Sequence, residues 1–182
     1  MKKWVKPSIW FGATIALVIL ADMLSKILTD TGGNERLVRV IPKFFNFAST
    51  YNYGVAFSFL SGAGVWLILF TSVLIVGASA AWWFLVFHKK GQAVGSRAPI
   101  LRDIALGLFI GGALGNWIDR VFLGYVRDFI KLDFMRFPIF NFADMCLNIG
   151  MVLIVIWLIF FTGKKKEKKL VEVPEYNNEN NS

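Results

Sequence analysis

The sequence predicts an α-helical membrane protein with four transmembrane helices in one compact domain. Of its 182 residues, 56% are hydrophobic and only 18% are charged, and the mean hydropathy of +0.57 is typical of membrane proteins. Four apolar runs are each about 20 residues or slightly longer, enough to cross a ~30 Å hydrocarbon core at ~1.5 Å per residue. We expect one integral membrane domain over residues 1–163, followed by a basic and then polar cytoplasmic tail over 164–182 that is disordered.

The positions of the basic residues predict how these runs are oriented across the membrane. The runs are Ser8–Leu28, Gly64–Phe87, Ala98–Ile118 and Phe142–Phe161. Three segments hold the excess of basic residues, namely Lys2, Lys3, Lys6, Lys89, Lys90, Arg97, Arg102, Lys164, Lys165, Lys166, Lys168 and Lys169. Because cytoplasmic segments are the basic ones, both termini are predicted to be cytoplasmic, and the connections Thr29–Ala63 and Val121–Asn141 to face outward. This topology, with attraction to anionic lipid, accounts for the net charge of +8 better than nucleic-acid binding does. The first run begins like a signal peptide, but it is too long and no cleavage signal follows, so we expect it to be retained.

The first outward connection contains a strand pattern. From Phe45 to Phe59, mostly aromatic residues at odd positions alternate with small and polar residues at even positions, which is the period of a β-strand. The stretch is longer than one ordinary strand, so we predict a bend or hairpin near Asn52–Gly54. Either the polar face, which carries Asn52, looks into a site, or the segment is an ordinary amphipathic hairpin that covers the helix ends.

The second outward connection alternates more weakly. Val126, Asp128 and Ile130 share one face if the segment is extended, and Arg127 and Phe129 share the other. A helical interpretation fits part of the same stretch. On the strand interpretation Asp128 is an acid on an apolar face, and such an acid is a candidate for a raised pKa.

Polar residues occur inside or at the ends of the apolar runs, where they are expensive and usually face an internal site. In the first run, Asp22 and Lys26 are four residues apart and can pair; a supporting role is favoured over an interface pair in which Lys26 snorkels to the surface. In the third run, Asn116, Asp119 and Arg120 lie near one helix face, and Asp119 has a structural explanation as a partner of Arg120 or as a helix cap. The same run has overlapping GxxxG patterns at Gly107, Gly111, Gly112 and Gly115, which allow close approach of another helix of the bundle.

The fourth run begins with a further polar stripe. Asn141, Asp144 and Asn148 follow the i, i+3, i+7 line of one helix face. The helix dipole favours an acid such as Asp144 in the first turn, but it does not explain the two asparagines. The chain has one cysteine, Cys146, and one histidine, His88, so an intramolecular disulfide is excluded and a His-based nucleophile or zinc site has no support. Carboxylates are the acid–base groups that the outward side offers, and we expect neither metal nor cofactor.

These motifs resemble the bacterial lipoprotein signal peptidase family, also called signal peptidase II. The matching segments are Asp22-Met-Leu-Ser-Lys26, Tyr51-Asn-Tyr-Gly-Val-Ala-Phe-Ser58, Gly111-Gly-Ala-Leu-Gly-Asn-Trp-Ile-Asp-Arg120, Gly124-Tyr-Val-Arg-Asp-Phe129 and Phe140-Asn-Phe-Ala-Asp144. They occur in the family's order over residues 22–144. Two small departures are Met23, where an amide is usual, and Arg127, where many relatives have an apolar residue.

The resemblance implies a four-helix bundle with an outward-facing β-cradle and the activity of an intramembrane aspartyl endopeptidase. The catalytic pair would be Asp128 and Asp144. Substrate-binding or supporting residues would be Asp22, Lys26, Asn52, Gly54, Asn116, Asp119, Arg120 and Asn141. The substrate would be a diacylglyceryl-modified prolipoprotein, cut just before its lipidated cysteine, and a globomycin-type cyclic peptide should inhibit. We expect a monomer in the bacterial inner membrane whose partners are this substrate and membrane lipid, without nucleic acid.

The chemistry of the residues agrees with the resemblance, since two nearby carboxyl groups in a low-dielectric site tend to share one proton. The alternatives are a small transporter or proton-relay protein and a non-catalytic scaffold. A relay needs polar groups across the whole membrane, whereas the fourth run is almost wholly apolar inward of Asn148.

Overall fold

Four long helices and a small sheet make up the part of the chain that a computed structural model describes, residues 5–32, 37–54, 64–88 and 98–161. The helices are α1 (Val5–Thr29), α2 (Gly64–Trp83), α3 (Pro99–Leu123) and α4 (Phe142–Phe161), and a π-helical turn at Phe84–His88 continues α2. Each is long and apolar enough to cross a membrane. The four predicted spans are therefore confirmed, and the predicted tail over 164–182 lies outside the described residues.

Helix α3 is the centre of the bundle and packs against α1, α2 and α4. Its glycines explain how it approaches two of these helices. A Cβ at Gly107 or Gly111 would lie 2.8–2.9 Å from side chains of α1, and one at Gly112 would overlap the carbonyl oxygen of Ala143 in α4. The predicted close packing along the GxxxG patterns is confirmed, and it involves two partner helices.

Helix α3 ends at a glycine that sends the chain directly into a strand. Gly124 has a φ of 81° and its N–H donates to the carbonyl of Arg120 at 3.1 Å, the left-handed termination that glycine favours. The helix ends at Leu123, about one and a half turns beyond the predicted end at Ile118. Since only Gly124 and Tyr125 separate α3 from the next strand, the last turn of α3 lies beside that strand.

The sheet has three antiparallel strands in the order β1-β2-β3, with β1 at Leu37–Ile41, β2 at Phe45–Asn52 and β3 at Val126–Leu132. The strand interpretation of the second connection is therefore confirmed and the helical one is wrong. Strand β1 was not predicted. The chain bends at Tyr53–Gly54, as expected, and the rest of the predicted alternation, up to Phe59, lies outside the described residues.

A bulge in β2 changes which residues share a face. Phe47 pairs with Ile130 and Thr50 pairs with Asp128, so three steps along β2 match two along β3 and the alternation shifts by one residue. The expectation that odd-numbered aromatic residues and Asn52 lie on opposite faces throughout β2 is therefore wrong. By this register Phe47, Thr50 and Asn52 lie on the face of Asp128.

The positive charge of Arg102 is not available at the surface between α2 and α3. Arg102 lies inside α3, is buried, and pairs with the buried Asp103 at 2.7 Å. Trp82 of α2 also donates to the Asp103 carboxylate at 3.1 Å. The expectation that Arg102 belongs to a basic cytoplasmic connection is therefore wrong, because Arg102 lies within the bundle and Asp103 neutralises its charge.

Candidate active site

The polar site begins at the first turn of α4, where two side chains cap the helix. Asn141 precedes the helix, and its side-chain oxygen accepts from the N–H of Asp144 at 3.0 Å. The Asp144 carboxylate accepts in return from the N–H of Asn141 at 3.2 Å. This reciprocal capping box fixes both side chains at the same end of the bundle as the sheet.

Amide groups connect the carboxyl group of Asp144 to that of Asp128. The Asn141 Nδ2 donates to Asp128 Oδ1 at 2.7 Å and also to the side-chain oxygen of Asn116 at 2.9 Å. Asn116 donates to Asp144 Oδ1 at 2.7 Å, and Asn52 of β2 donates to Asp128 Oδ2 at 2.9 Å. Every oxygen of the two carboxyl groups therefore accepts a hydrogen bond from an amide, and two helices and two strands position them.

Asp128 holds its proton to unusually high pH. Burial in the protein, with only 3% of the residue exposed, raises the pKa of Asp128, and the charge of Asp144 raises it further, to about 7. The hydrogen bonds from Asn52 and Asn141 act in the opposite direction because they stabilise the carboxylate. Near neutral pH this site can therefore carry a proton on Asp128.

A buried cluster of charges lies behind the two carboxyl groups. The ammonium group of Lys26, which is fully buried, contacts Asp22 at 2.7 Å, Asp119 at 3.3 Å and the Asn116 oxygen at 3.2 Å. The predicted Asp22–Lys26 pair is confirmed, and the alternative in which Lys26 snorkels to the interface is wrong. Asp22 also accepts the N–H of Ala143 at 2.9 Å, so α1 is tied to the first turn of α4.

Asp119 does not bind the neighbour that the sequence suggested. Its carboxylate accepts from the guanidinium group of Arg127 at 2.7 Å and from the Arg127 backbone N–H at 3.1 Å. This contact raises the pKa of Arg127 above its usual range. Arg120 instead points towards the bend after β2, where it donates to the carbonyl of Gly54 at 3.1 Å. The expectation that Asp119 holds Arg120 is therefore wrong.

The pairing of Arg127 with Asp119 was not predicted from the sequence, in which Arg127 is a departure from the family pattern. Arg127 is eight residues from Asp119 and lies on a different element. The signal was Gly124 between them, because a glycine that ends α3 at once brings the following strand beside the last helical turn.

A cavity of about 560 Å³ opens onto the two carboxyl groups. Its lining residues are Asn52, Asn116, Arg120, Val126, Asp128, Leu132, Phe137, Pro138, Ile139, Phe140, Asp144, Met145, Asn148 and Ile149. Five of these were predicted as site residues, and the apolar ones were not. Asp22, Lys26, Gly54, Asp119 and Asn141 lie behind or beside the cavity. The described residues contain no group of three or more His, Cys, Asp or Glu side chains that could hold a metal ion.

Comparison with known proteins identifies the family. The model of the signal peptidase (SPase) II family matches residues 14–160. The chain belongs to the signal peptidase II family. The lipoprotein signal peptidase of Acinetobacter baumannii (strain SDF) is 39% identical over 165 residues, 88% of this chain and 88% of that protein. The lipoprotein signal peptidase of Shewanella oneidensis is 40% identical over 168 residues, which cover 90% and 93% of the two chains.

Solved structures support the same conclusion. A bacterial membrane enzyme determined at 2.3 Å resolution has a TM-score of 0.72 and 34% identity, with 88% of this chain and 93% of that chain covered. Another, at 1.9 Å, has a TM-score of 0.67 and 32% identity over 82% of this chain and 92% of the other. The resemblance to signal peptidase II is therefore confirmed. The protein is a multi-pass membrane protease of the aspartic class, and the transporter and scaffold alternatives are wrong.

Proposed function

We propose that Asp128 and Asp144 are the catalytic pair with which this signal peptidase II cuts diacylglyceryl-modified prolipoproteins just before the lipidated cysteine. The observation that carries the assignment is their shared position. Both carboxyl groups line one cavity, and Asn141 binds both of them, through its side-chain amide to Asp128 and through its backbone N–H to Asp144. Asp119 is the other acid beside this site; its carboxylate is paired with Arg127 and Lys26, and it does not line the cavity.

The first chemical step is the addition of water to the scissile carbonyl. Asp128 carries the shared proton, in keeping with its pKa of about 7, and Asp144 is the carboxylate that acts as base. Asp144 removes a proton from water while the water oxygen bonds to the carbonyl carbon. Asp128 donates its proton to the carbonyl oxygen, and a neutral tetrahedral diol results.

The second step breaks the carbon–nitrogen bond. Asp144 returns its proton to the leaving nitrogen of the lipidated cysteine, and Asp128 regains a proton from one hydroxyl group as the carboxylic acid of the signal peptide forms. The pair is thus restored with one shared proton, and no covalent intermediate is needed. Asn52, Asn116 and Arg120, whose side chains line the cavity, are the groups we assign to holding the peptide backbone.

The setting of the reaction follows from the family and from the charges of the sequence. We assign the enzyme to the bacterial inner membrane as a monomer, with both termini cytoplasmic and the site toward the outer face. The exposed aromatic and aliphatic residues of the sheet turns, such as Phe44, Phe134 and Phe137, suit contact with the lipid interface there. A globomycin-type cyclic peptide should compete with the substrate.

The assignment is tested by one substitution made at three acids. Asp128→Asn and Asp144→Asn should each lower the cleavage rate by at least about a hundredfold, the smallest usual contribution of a positioned acid or base, while the protein stays folded and binds substrate. Asp119→Asn is the matched control, because it makes the same change of side chain in the neighbouring charge cluster. It should lower the melting temperature and keep measurable turnover. Release of the signal peptide from lipidated and unlipidated prolipoprotein is followed by mass spectrometry in one detergent.

A different result would change the assignment. If Asp128→Asn cleaves nearly normally while Asp119→Asn is folded and inactive, the pair is Asp119 and Asp144. If wild-type enzyme cuts the unlipidated substrate equally well, the proposed substrate class is wrong. Loss of activity with a chelator, restored by zinc, would refute a mechanism that uses carboxyl groups alone.

A further inference from the structure

Asn148 is a polar residue of α4 that the mechanism above does not use. It lies four residues after Asp144, ~6 Å further along α4 at the usual helical rise, and it is exposed. Among the described residues it makes one side-chain hydrogen bond, in which Nδ2 donates to the carbonyl of Asp144 at 2.9 Å. Within the described part of the chain, the second N–H of this amide and its oxygen have no hydrogen-bond partner. An amide within a transmembrane span is costly unless it is satisfied, so a ligand group that pairs with Asn148 would stabilise this position.

Asn148 is also where two cavities meet. The cavity of about 560 Å³ that contains the carboxyl groups reaches Asn148 and Ile149. A second cavity of about 240 Å³ is lined by Asn148, Ile149, Val152 and Leu153. The two cavities share these two lining residues and therefore adjoin along α4, and we refer to them together as the trough. From Asp144 to Val152 the trough follows eight residues of helix, about 12 Å at ~1.5 Å per residue.

The chemical character of the trough changes along its length. At one end lie Asp128 and Asp144, Asn148 follows, and beyond Asn148 the lining side chains are the aliphatic Ile149, Val152 and Leu153. A diacylglyceryl cysteine presents groups in the same order. Its peptide bond is hydrolysed, ester carbonyls follow a few bonds away across the thioether and glycerol, and each ester begins an apolar acyl chain.

We propose that Asn148 donates a hydrogen bond to an ester carbonyl of the substrate lipid and that the aliphatic end of the trough holds the adjoining acyl chain. This inference rests on the proposed function, and it makes Asn148 a residue that distinguishes an ester-linked lipid from an apolar chain of equal length. The second N–H of Asn148 is the donor, because the first is held by the Asp144 carbonyl. A carbonyl oxygen is an acceptor that this amide can satisfy at membrane depth.

The test compares two lipids and two side chains. One synthetic lipopeptide carries the diester, 2,3-diacyloxypropyl cysteine, and the other carries the diether, which keeps the chains and lacks the carbonyl groups. Wild-type enzyme should have a kcat/KM for the diester about three- to tenfold above that for the diether, the range expected for one neutral hydrogen bond. Asn148→Leu should cleave the two lipopeptides at equal kcat/KM, close to the wild-type value for the diether.

Two further variants make the result specific. Val152→Ala shortens the aliphatic lining without touching a polar group, so it should change kcat/KM for both lipids and keep their ratio. Asn148→Ala, with its smaller side chain, should lose the discrimination as Asn148→Leu does, which guards against a fold defect in the leucine variant. Thermal unfolding of all four proteins is measured in the same detergent.

The outcomes separate this inference from the proposed function. Equal cleavage of diester and diether by wild-type enzyme, or a wild-type ratio retained by Asn148→Leu and Asn148→Ala, would overturn the role of Asn148 while leaving the peptidase assignment intact. Failure of wild-type enzyme to cleave either lipopeptide would instead count against the proposed function itself.

Discussion

At the scale of single residues, the proposed role of Asp128 as the proton donor links the pH range of activity to the pKa of this residue. Burial and the charge of Asp144 raise the pKa of Asp128 to about 7. A proton on Asp128 is required in the proposed first step, and it is lost as pH rises through this value. We therefore expect kcat/KM, which reports the free enzyme, to fall about tenfold per pH unit above about pH 7.

The alkaline limb of the pH profile, where kcat/KM falls, should move when a hydrogen-bond donor to Asp128 is removed. Asn52 stabilises the Asp128 carboxylate through the 2.9 Å bond, so Asn52→Ala should shift the alkaline limb to higher pH. Thr50→Ala is the matched control, because Thr50 pairs with Asp128 through the backbone ladder and should leave the limb in place. If the alkaline limb does not move in Asn52→Ala, or if it moves equally in both variants, the group that titrates is not Asp128.

Contacts within the site could be predicted from the sequence only where the two residues lie close together along the chain. Asp22 and Lys26 are four residues apart on one helix, so helical geometry was sufficient to pair them. The partner of Asp119 lies on β3, and no periodicity within α3 indicates it. Lys26 was a snorkelling candidate by position, but it is fully buried because two carboxylates and an amide oxygen surround its ammonium group. Partners that lie on different helices and strands can be identified only in the folded structure.

At the scale of elements, the contact between α3 and α4 depends on a missing side chain. A Cβ at Gly112 would overlap the carbonyl oxygen of Ala143 and lie 2.9 Å from the backbone nitrogen of Leu147. Backbone atoms cannot move away as a flexible side chain can, so Gly112→Ala should destabilise the protein by about 1–3 kcal/mol, the usual cost of overpacking. It should also reduce turnover, since Ala143 immediately precedes Asp144.

A second glycine supplies the control for this substitution. Gly77 lies within α2, and a Cβ there would meet nothing within 4 Å. Because alanine favours helix over glycine by about 1 kcal/mol, Gly77→Ala should leave the melting temperature equal or higher. Thermal unfolding and cleavage are compared for both variants, and equal stability of Gly112→Ala and Gly77→Ala would contradict the close contact between α3 and α4.

The helices could be predicted more completely than the sheet, for a physical reason. A span needs only a long apolar run, and the predicted bounds of the fourth run agree with α4 at both ends. Strand β1 is five residues long, so its local pattern was too short to identify, and among the described strands it pairs with β2 alone. The bulge in β2 depends on its register with β3, a distant segment. A period-two pattern read along β2 alone could not contain that information.

At the scale of the whole molecule, the sheet and the proposed catalytic residues lie at one end of the bundle. Helices α1 and α3 end there, and α2 and α4 begin there. In the sequence, the segments Thr29–Ala63 and Val121–Asn141 contain acids and bases in near balance, whereas the segments that precede α1, join α2 to α3 and follow α4 are rich in basic residues. Arg102 does not contribute to this unequal distribution of positive charge, because it is paired with Asp103. The lysines outside the spans still account for the inequality. The positive-inside rule therefore favours a site that faces away from the cytoplasm.

This orientation is tested with single cysteines in a Cys146→Ala background, where the only native thiol is absent. Lys43→Cys lies in the exposed turn between β1 and β2, and Ser182→Cys lies at the end of the lysine-rich tail. In intact bacterial spheroplasts, a membrane-impermeant maleimide should label Lys43→Cys and leave Ser182→Cys unlabelled until the membrane is permeabilised. Cleavage activity of the Cys146→Ala parent verifies that the background is folded. Labelling of Ser182→Cys in intact spheroplasts, with Lys43→Cys protected, would mean that the threading is inverted and that the two carboxyl groups face the cytoplasm.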